Sequence, residues 1–256
     1  MELHAGKKVY FASDFHLGAP DPQSSLEREK RIVSWLGEIA SDAAIIFLVG
    51  DLFDFWFEYK KVIPKGYTRI LGMLASLRDQ GIRIIVFTGN HDMWMDGYFE
   101  QELRIPVCSD PVEYQIAGKS FYVAHGDGLG PGDHGYKLLK KLFRSRFCRW
   151  LFAVLHPSTG IAIANFFSRK SRHMTAQKKF LGEDKEWLIL HSREILREKM
   201  INFFIYGHRH LPLDISLGEG SRYINLGDWL NQGSYAVFDG ESLQLLTYTG
   251  SHVANP

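Results

Sequence analysis

Ala43–Val49 (AAIIFLV) is apolar without a break over the length of a strand, and Ile82–Thr88 and Ile201–Tyr206 are nearly so. A sheet with one wet face would show alternation, so these runs predict strands covered on both sides. Helical spacing fills the intervals: Leu26, Ile32, Val33, Leu36 and Ile39 within Ser25–Ser41, then Tyr67–Gln80 closed by Gly81, then Glu186–Lys199. Lys8–Ser13, Pro111–Ile116, Ser120–Ala124, Arg222–Asn225, Ser234–Phe238 and Ser242–Tyr248 read as further strands, with hairpin turns at Gly118-Lys119 and Asp239-Gly240. Strand and helix alternate through the first half, and hairpins dominate the tail. That order predicts an α/β fold of two packed mixed β-sheets flanked by helices, in one domain spanning 1–256.

Five of the strand-like runs stop on a polar cluster: Asp14-Phe15-His16, Gly50-Asp51 with Asp54, Gly89-Asn90-His91-Asp92, His125-Gly126-Asp127, and Gly207-His208-Arg209-His210. In layered α/β folds ligands bind beyond the carboxyl ends of the strands, so clusters far apart in sequence are expected at one edge. Asp14 and His16 are two apart, as are His208 and His210, and in extended backbone each pair would face one side. Gly50 lets the backbone turn sharply ahead of Asp51, whose two carboxylate oxygens suit a bridge between cations. Asn90 adds a carbonyl oxygen, and His125, His208 and His210 add imidazole nitrogens. Asp14, His16, Asp51, Asn90, His125, His208 and His210 together make a ligand set for two divalent ions. Mixed oxygen and nitrogen donors favour Mn²⁺, with Fe²⁺ or Zn²⁺ as alternatives, over Ca²⁺. Any one cluster alone is an ordinary turn or cap. The weight lies in five of them at five strand ends. Gly126, Gly128, Gly130 and Gly132 lack dinucleotide-loop spacing, and Asp127 and Asp133 would repel a pyrophosphate.

The net charge of +1 hides an uneven distribution. Residues 134–182 hold 11 of the 30 basic residues and no acidic one, leaving 19 basic residues against all 29 acidic ones elsewhere. The same stretch places Leu139, Phe143, Phe147, Trp150, Leu151 and Val154 mostly three or four apart, and Ile163, Phe166 and Phe167 resume the pattern after His156–Gly160. This predicts a helical hairpin inserted at about 134–182, apolar on one face and cationic on the rest. The plain reading is a helix pair packed on the domain with a solvated basic face. A lid for a substrate with fatty chains and an anionic head accounts for both features, and would favour docking on an anionic membrane. The acidic remainder disfavours nucleic acid. Cys108 and Cys148 lack CxxC spacing and read as reduced thiols rather than a disulfide. The first residues do not form a signal peptide, and no apolar stretch reaches the ~18–20 residues of a membrane span.

The ordered set Asp-x-His, Gly-Asp, Gly-Asn-His-Asp, His and Gly-His-x-His, from about Val9 to His210, resembles the calcineurin-like metallophosphoesterase superfamily. The resemblance implies an αββα sandwich, with Asp14, His16, Asp51 and His210 on one metal and Asp51, Asn90, His125 and His208 on the other. Two metals ~3.5–4 Å apart would lower the pKa of a bridging water and clamp the phosphoryl oxygens. His91, with Asp92 behind it, would steady the transition-state charge or protonate the leaving oxygen, and Asp54 and Asp127 would orient ligands. Within the superfamily, GDLFDFW (50–56), HGDGLGPGDHGY (125–136), the basic-aromatic hairpin, SRKSR (168–172) and GHRH (207–210) resemble the UDP-2,3-diacylglucosamine pyrophosphatase family of lipid A biosynthesis. That resemblance implies cleavage at the α-phosphorus of the UDP unit, to UMP and an acylated sugar phosphate, by a cytoplasmic enzyme peripheral on the inner membrane. It also implies substrate contacts from Asn90, His91 and His208, from Asp133 to the glucosamine, and from Ser171, Arg172, Thr175 and Lys178 along the lid. Many members of that family carry Arg where this chain has His91. Two other readings stand beside it. One keeps the chemistry for another nucleotide or phosphodiester; the other is a scaffold that has lost its metals, against which the full ligand set argues.

Overall fold

The computed structural model describes residues 1–132, 134–175 and 179–250, with backbone alone at 165 and 169–175. In chain order its elements are β1 (Lys8–Ala12), α1 (Pro22–Ile39), β2 (Ala43–Val49), α2 (Thr68–Asp79), β3 (Arg83–Phe87), α3 (Tyr98–Glu102), β4 (Val107–Cys108), β5 (Val112–Ile116) and β6 (Lys119–Ala124). Then follow α4 (His134–Phe143), α5 (Arg146–Val154), α6 (Pro157–Thr175), α7 (Trp187–Leu196), β7 (Phe203–Tyr206), β8 (Pro212–Gly218), β9 (Ser221–Leu226), β10 (Ser234–Phe238) and β11 (Leu243–Thr247). One sheet runs β11-β10-β1-β2-β3-β4 and the other β5-β6-β7-β9-β8. β1 to β4 are parallel, as are β6, β7 and β9, while β10, β11, β5 and β8 join antiparallel. The α/β sandwich of two mixed sheets is the fold expected.

Alternation along each strand sorts the layers. Val9, Phe11, Ile45, Phe47, Ile85 and Phe87 of the first sheet meet Phe121, Val123, Phe203, Ile205 and Ile224 of the second. Their chain neighbours Tyr10, Ala12, Ile46, Leu48, Ile84 and Val86 pack outward on Ile32, Trp35 and Leu36 of α1 and Ile70, Leu74 and Leu77 of α2. On the far side Tyr122, Ala124, Phe204 and Tyr206 lie under Leu188 and Ile189 of α7. Both faces of the central strands are dry, which is why their sequences are unbroken apolar runs. Each Phe or Leu buried this way contributes roughly 1.5–3 kcal/mol. α1 begins where its chemistry dictates: Asp21 accepts from the Ser24 N–H at 2.9 Å, and Pro22 opens the first turn.

Two expectations need correction. Pro212–Gly218 forms a strand outside the expectations, although Leu213, Ile215 and Leu217 alternate there with Asp214 and Ser216. It lies at the sheet edge against β9, alternately exposed and half-buried, where Pro212, Asp214 and Ser216 are tolerated and no apolar run is needed. The insertion is three helices rather than a hairpin. Ser145 accepts from the Cys148 N–H at 3.2 Å and caps a new helix just after Phe143, and Pro157 opens the next. Nor is its apolar face packed on the domain: Phe147, Trp150, Val154, Phe166 and Phe167 are each at least 60% exposed. Phe152 does the docking instead, its ring centroid 4.7 Å from that of Phe57 and 5.0 Å from that of Trp94. Cys108 and Cys148 are free thiols. Among the described residues no helix is long and apolar enough to cross a membrane.

Candidate metal centre

β1, β2, β3, β6 and β7 end at one edge of the sandwich, and Asp14, Asp51, Asn90, His125 and His208 follow them closely. Backbone bonds knit the loops together, from Asp14 N to Gly50 O (3.0 Å), His16 N to Asp51 O (2.9 Å), Gly207 N to His125 O (3.0 Å) and Trp229 N to Asp14 O (3.1 Å). The pairs Asp14/His16 and His208/His210 do not converge through extended alternation. Asp14, His16, Asp51, His208 and His210 all have φ between 45° and 65°. Left-handed backbone costs a residue with a side chain of order 1–3 kcal/mol, and persists only where the surroundings over-determine it. The glycines beside them make room. A Cβ on Gly50 would lie 2.5 Å from His125 Nδ1, one on Gly207 2.5 Å from Asp14 Oδ2, and one on Gly89 2.7 Å from the Asp51 nitrogen and nearer still to its carboxylate. Gly89→Ala is therefore expected to push Asp51 aside and cut turnover by about 100-fold, with the far-ultraviolet circular dichroism unchanged. An active alanine variant would contradict that close approach.

His16 Nε2 lies 3.6 Å from Asp14 Oδ1, 3.7 Å from Asp51 Oδ2 and 3.3 Å from His210 Nε2. His210 Nε2 stands 3.2 Å from Asp14 Oδ1, and His125 Nε2 stands 3.4 Å from Asp51 Oδ2. Asp51 thus sits between His16 and His125. Asn90 Oδ1 and His208 Nδ1 meet at 2.9 Å, with the His208 ring 5.3 Å from that of His125. The rings are oriented from behind: His125 Nδ1 donates to the Val49 carbonyl at 2.8 Å, and His210 Nδ1 faces Asp228 Oδ2 at 3.3 Å.

Burial alone would raise Asp14 and Asp51. The histidines outweigh it, His210 foremost at Asp14, which is held at about 2, and His125 foremost at Asp51, which is held well below the usual carboxylate range. His125 shows the converse: burial lowers it, but the Asp51 carboxylate prevails and holds it at about 10. Burial depresses His208 to about 3 and His91 to about 4, so both are neutral at pH 7.

Asp14 Oδ1 and His125 Nε2 are buried without a hydrogen-bond partner. Orphaned groups of that kind are costly, and ligation of a cation would remove the cost. Three overlapping triads, Asp14/His16/His210, His16/Asp51/His91 and Asp14/Asp51/His125, each bring one donor atom per residue within 4.8 Å of the others. All of these donors are oxygen or nitrogen. The residues present fit divalent metal ions.

Asp92 does not stand behind the His91 ring. Its carboxylate accepts the N–H groups of Gly89 and Leu52 at 2.7 Å and of Asp51 and Phe53 at 3.3 Å, so it staples the loop after β3 to the loop after β2. Burial first, and the Asp51 charge second, push it up to about 7. Asp54 Oδ1 lies 3.7 Å from both His16 Nδ1 and His91 Nδ1. His91 Nδ1 also lies 2.9 Å from Ser168 Oγ on α6, which brings the insertion to the centre. Asp127, expected to orient ligands, takes Lys140 Nζ and Tyr136 OH at 2.7 Å each and anchors α4. Asp133 and Lys178 lie outside the described residues; Ser171, Arg172 and Thr175 belong to the last turns of α6, with their side chains outside the description.

Two contributors have no counterpart in the sequence expectations. Gly227-Asp228 follows β9 as Gly50-Asp51 follows β2, so a sixth cluster at a strand end was present to be read. Arg209 and Glu186 form a buried ion pair, at 2.6 Å for Nη2–Oε1 and 2.9 Å for Nε–Oε2. The guanidinium also lies 4.6 Å from the centre of the Trp187 ring and donates to the Lys179 carbonyl at 3.4 Å. No local pattern joins an Arg between two candidate ligand histidines to a Glu in another loop.

A model of the calcineurin-like phosphoesterase family matches residues 7–212. A UDP-2,3-diacylglucosamine hydrolase of Porphyromonas gingivalis is 38% identical over 252 residues, covering 93% of this chain and 96% of that protein. One of the same name from Aeromonas salmonicida is 30% identical, covering 89% of this chain and 88% of its own. Among solved structures, wild-type Vps29 of Entamoeba histolytica complexed with zinc aligns over 95% of this chain and 94% of that one, with a TM-score of 0.46 at 15% identity.

Proposed function

This chain belongs to the calcineurin-like phosphoesterase family, and we propose that it hydrolyses UDP-2,3-diacylglucosamine at the α-phosphorus, releasing UMP and 2,3-diacylglucosamine 1-phosphate for lipid A biosynthesis. One observation carries the reading. An insertion with an exposed apolar face reaches His91 through Ser168, so a surface suited to fatty chains adjoins a buried carboxylate and imidazole cluster suited to metals. The names of the relatives support it, since their substrate is an anionic diphosphate with two acyl chains.

In this proposal Asp14, His16, Asp51 and His210 hold one divalent ion, and Asp51, Asn90, His125 and His208 hold a second, with Mn²⁺ as the occupant. Bound there, such a pair supplies Lewis acidity toward the phosphoryl group and an activated water. The chain's own side chains do the rest. His91, neutral at pH 7, is held at Nδ1 by Ser168 Oγ at 2.9 Å and the Asp54 carbonyl at 3.2 Å, which leaves its other nitrogen to serve a phosphoryl or leaving oxygen. Asp54 keeps the His16 and His91 rings in register, and Asp92 ties the loop that carries His91 to the loop that carries Asp51. Asp133, Ser171, Arg172, Thr175 and Lys178 are assigned to the sugar and diphosphate from their place in the sequence. The exposed aromatics of α5 and α6, on a stretch of sequence with basic residues and no acidic one, receive acyl chains and seat the protein on an anionic surface, the cytoplasmic face of the inner membrane.

Incubation with UDP-2,3-diacylglucosamine and Mn²⁺ in detergent should give UMP and the lipid monophosphate in equal amounts by mass spectrometry. In ¹⁸O-water the label should enter UMP; label in the lipid phosphate would place the attack on the other phosphorus, and absence of turnover would remove the substrate. Phe147 and Trp150 stack with centroids 6.2 Å apart on the exposed face. Replacing both with Ser should lower co-sedimentation with anionic vesicles and hydrolysis of vesicle-borne substrate about ten-fold or more, given 1.5–3 kcal/mol for each buried aromatic. Hydrolysis of a small chromogenic diester should fall far less; equal losses would make the pair ordinary packing.

A further inference from the structure

The two flanks of the centre differ in chemistry. On the His91 side stand the rings of Phe55, Phe57, Trp94 and Phe152, continuous with the exposed apolar helices. On the His125 side, between α4 and the carboxyl ends of β3 and β6, lies a cavity of ≈ 610 Å³, within the roughly 300–1,000 Å³ typical of small-ligand clefts. Lys137, Lys140, Lys141 and Arg144 line it from α4, and only Asp110 and Asp127 oppose them. Three of the four cations are engaged. Lys140 holds Asp127, Lys137 donates to the Gly130 carbonyl, and Arg144 pairs with Asp110 at 2.9 Å. Lys141 makes no hydrogen bond or ion pair with a described residue and is exposed at the cavity wall. His125 belongs both to this lining and to the centre, so the cavity adjoins the cluster.

An amphiphile bound across the centre must part its halves between these flanks. Acyl chains cannot lie against four ammonium and guanidinium groups without desolvating them, whereas a phosphate gains from them. We infer that this cavity seats the nucleotide half of the substrate, with Lys141 pairing to the phosphate that leaves in the nucleoside monophosphate and the polar strand ends at Thr88 and Ser109 facing ribose and base. The assignment rests on the substrate proposed above, and extends it to a place in the molecule.

The test uses the full chain with Mn²⁺, and binding of UMP, uridine and inorganic phosphate followed by equilibrium dialysis and by inhibition of diester hydrolysis. UMP should bind at least ten-fold more tightly than inorganic phosphate. Lys141→Glu should weaken UMP ten-fold or more and inorganic phosphate less than three-fold, with Lys141→Gln intermediate. It should also raise KM for UDP-2,3-diacylglucosamine by a similar factor, well beyond its effect on a small diester. UMP no tighter than phosphate, or undiminished in the Glu variant, overturns the seat. Turnover of the lipid substrate with unaltered KM in the Glu variant does so too, while leaving the substrate standing. Conversely, if the unaltered protein does not cleave the lipid substrate, the substrate reading falls and the UMP arm alone decides the cavity. A matched thermal midpoint for the variants excludes unfolding.

Discussion

Asp51→Ala should lower hydrolysis of every substrate, acylated or small, by at least about 1,000-fold, equivalent to ~4 kcal/mol of transition-state stabilisation. The expectation comes from where the carboxylate stands. Its Oδ2 lies 3.4 Å from His125 and 3.7 Å from His16, and its Oδ1 accepts the His91 N–H at 2.9 Å. Removing it takes a donor from both flanks of the cluster and frees the loop that aims His91. It also takes away the charge that does most to hold His125 up against burial, so the imidazole should titrate lower in the metal-free protein. Turnover of a chromogenic diester and metal content per chain by elemental analysis are the two measurements. A variant that keeps either the activity or a full complement of metal would remove Asp51 from its place between two ions.

Arg209→Met should cost about 3–5 kcal/mol in unfolding free energy, the usual consequence of leaving one member of a buried ion pair uncompensated. Glu186 is fully buried and its two oxygens are both taken by the guanidinium, so among the described residues its charge would keep only the Leu181 N–H, 3.1 Å from Oε1. Equilibrium denaturation in urea measures the loss. The double variant Arg209→Met with Glu186→Leu should regain at least half of it, because no charge is then stranded. Equal stability of the single and double variants would show that the pair is not what holds this corner. Because Arg209 lies between His208 and His210, the single variant should also bind metal more weakly.

The fold was legible wherever burial on both faces left its mark. AAIIFLV and INFFIY could be nothing but interior strands of a layered sheet, and Asp239-Gly240 announced its hairpin. β8 was legible as well, in Leu213, Ile215 and Leu217 alternating with Asp214 and Ser216, but a half-buried edge strand carries no unbroken apolar run and so fell outside the expectations. The break within the insertion was hidden because Ser145 is one polar residue in an otherwise helical stretch, and its capping bond is a matter of geometry. The residues of the centre were legible as types at strand ends, but the way they meet was not. Extended alternation was the available argument for Asp14 with His16, whereas left-handed turns bring them together. Asp92 shows the same limit from another side, since nothing in Gly-Asn-His-Asp says that its carboxylate turns back to four backbone N–H groups. Partners supplied by distant loops, Asp228 for His210 and Glu186 for Arg209, need the tertiary structure to be seen.

The helical arm leaves the body just after His125, where Asp127 receives Lys140 and Tyr136, and returns at Glu186, whose grip on Arg209 falls between His208 and His210. Both roots of the excursion are thus riveted to loops that carry donors. Trimming the arm to obtain a minimal phosphatase would pull out the rivets with it. Such a shortened chain would keep every donor in its sequence and lose the shape in which they meet.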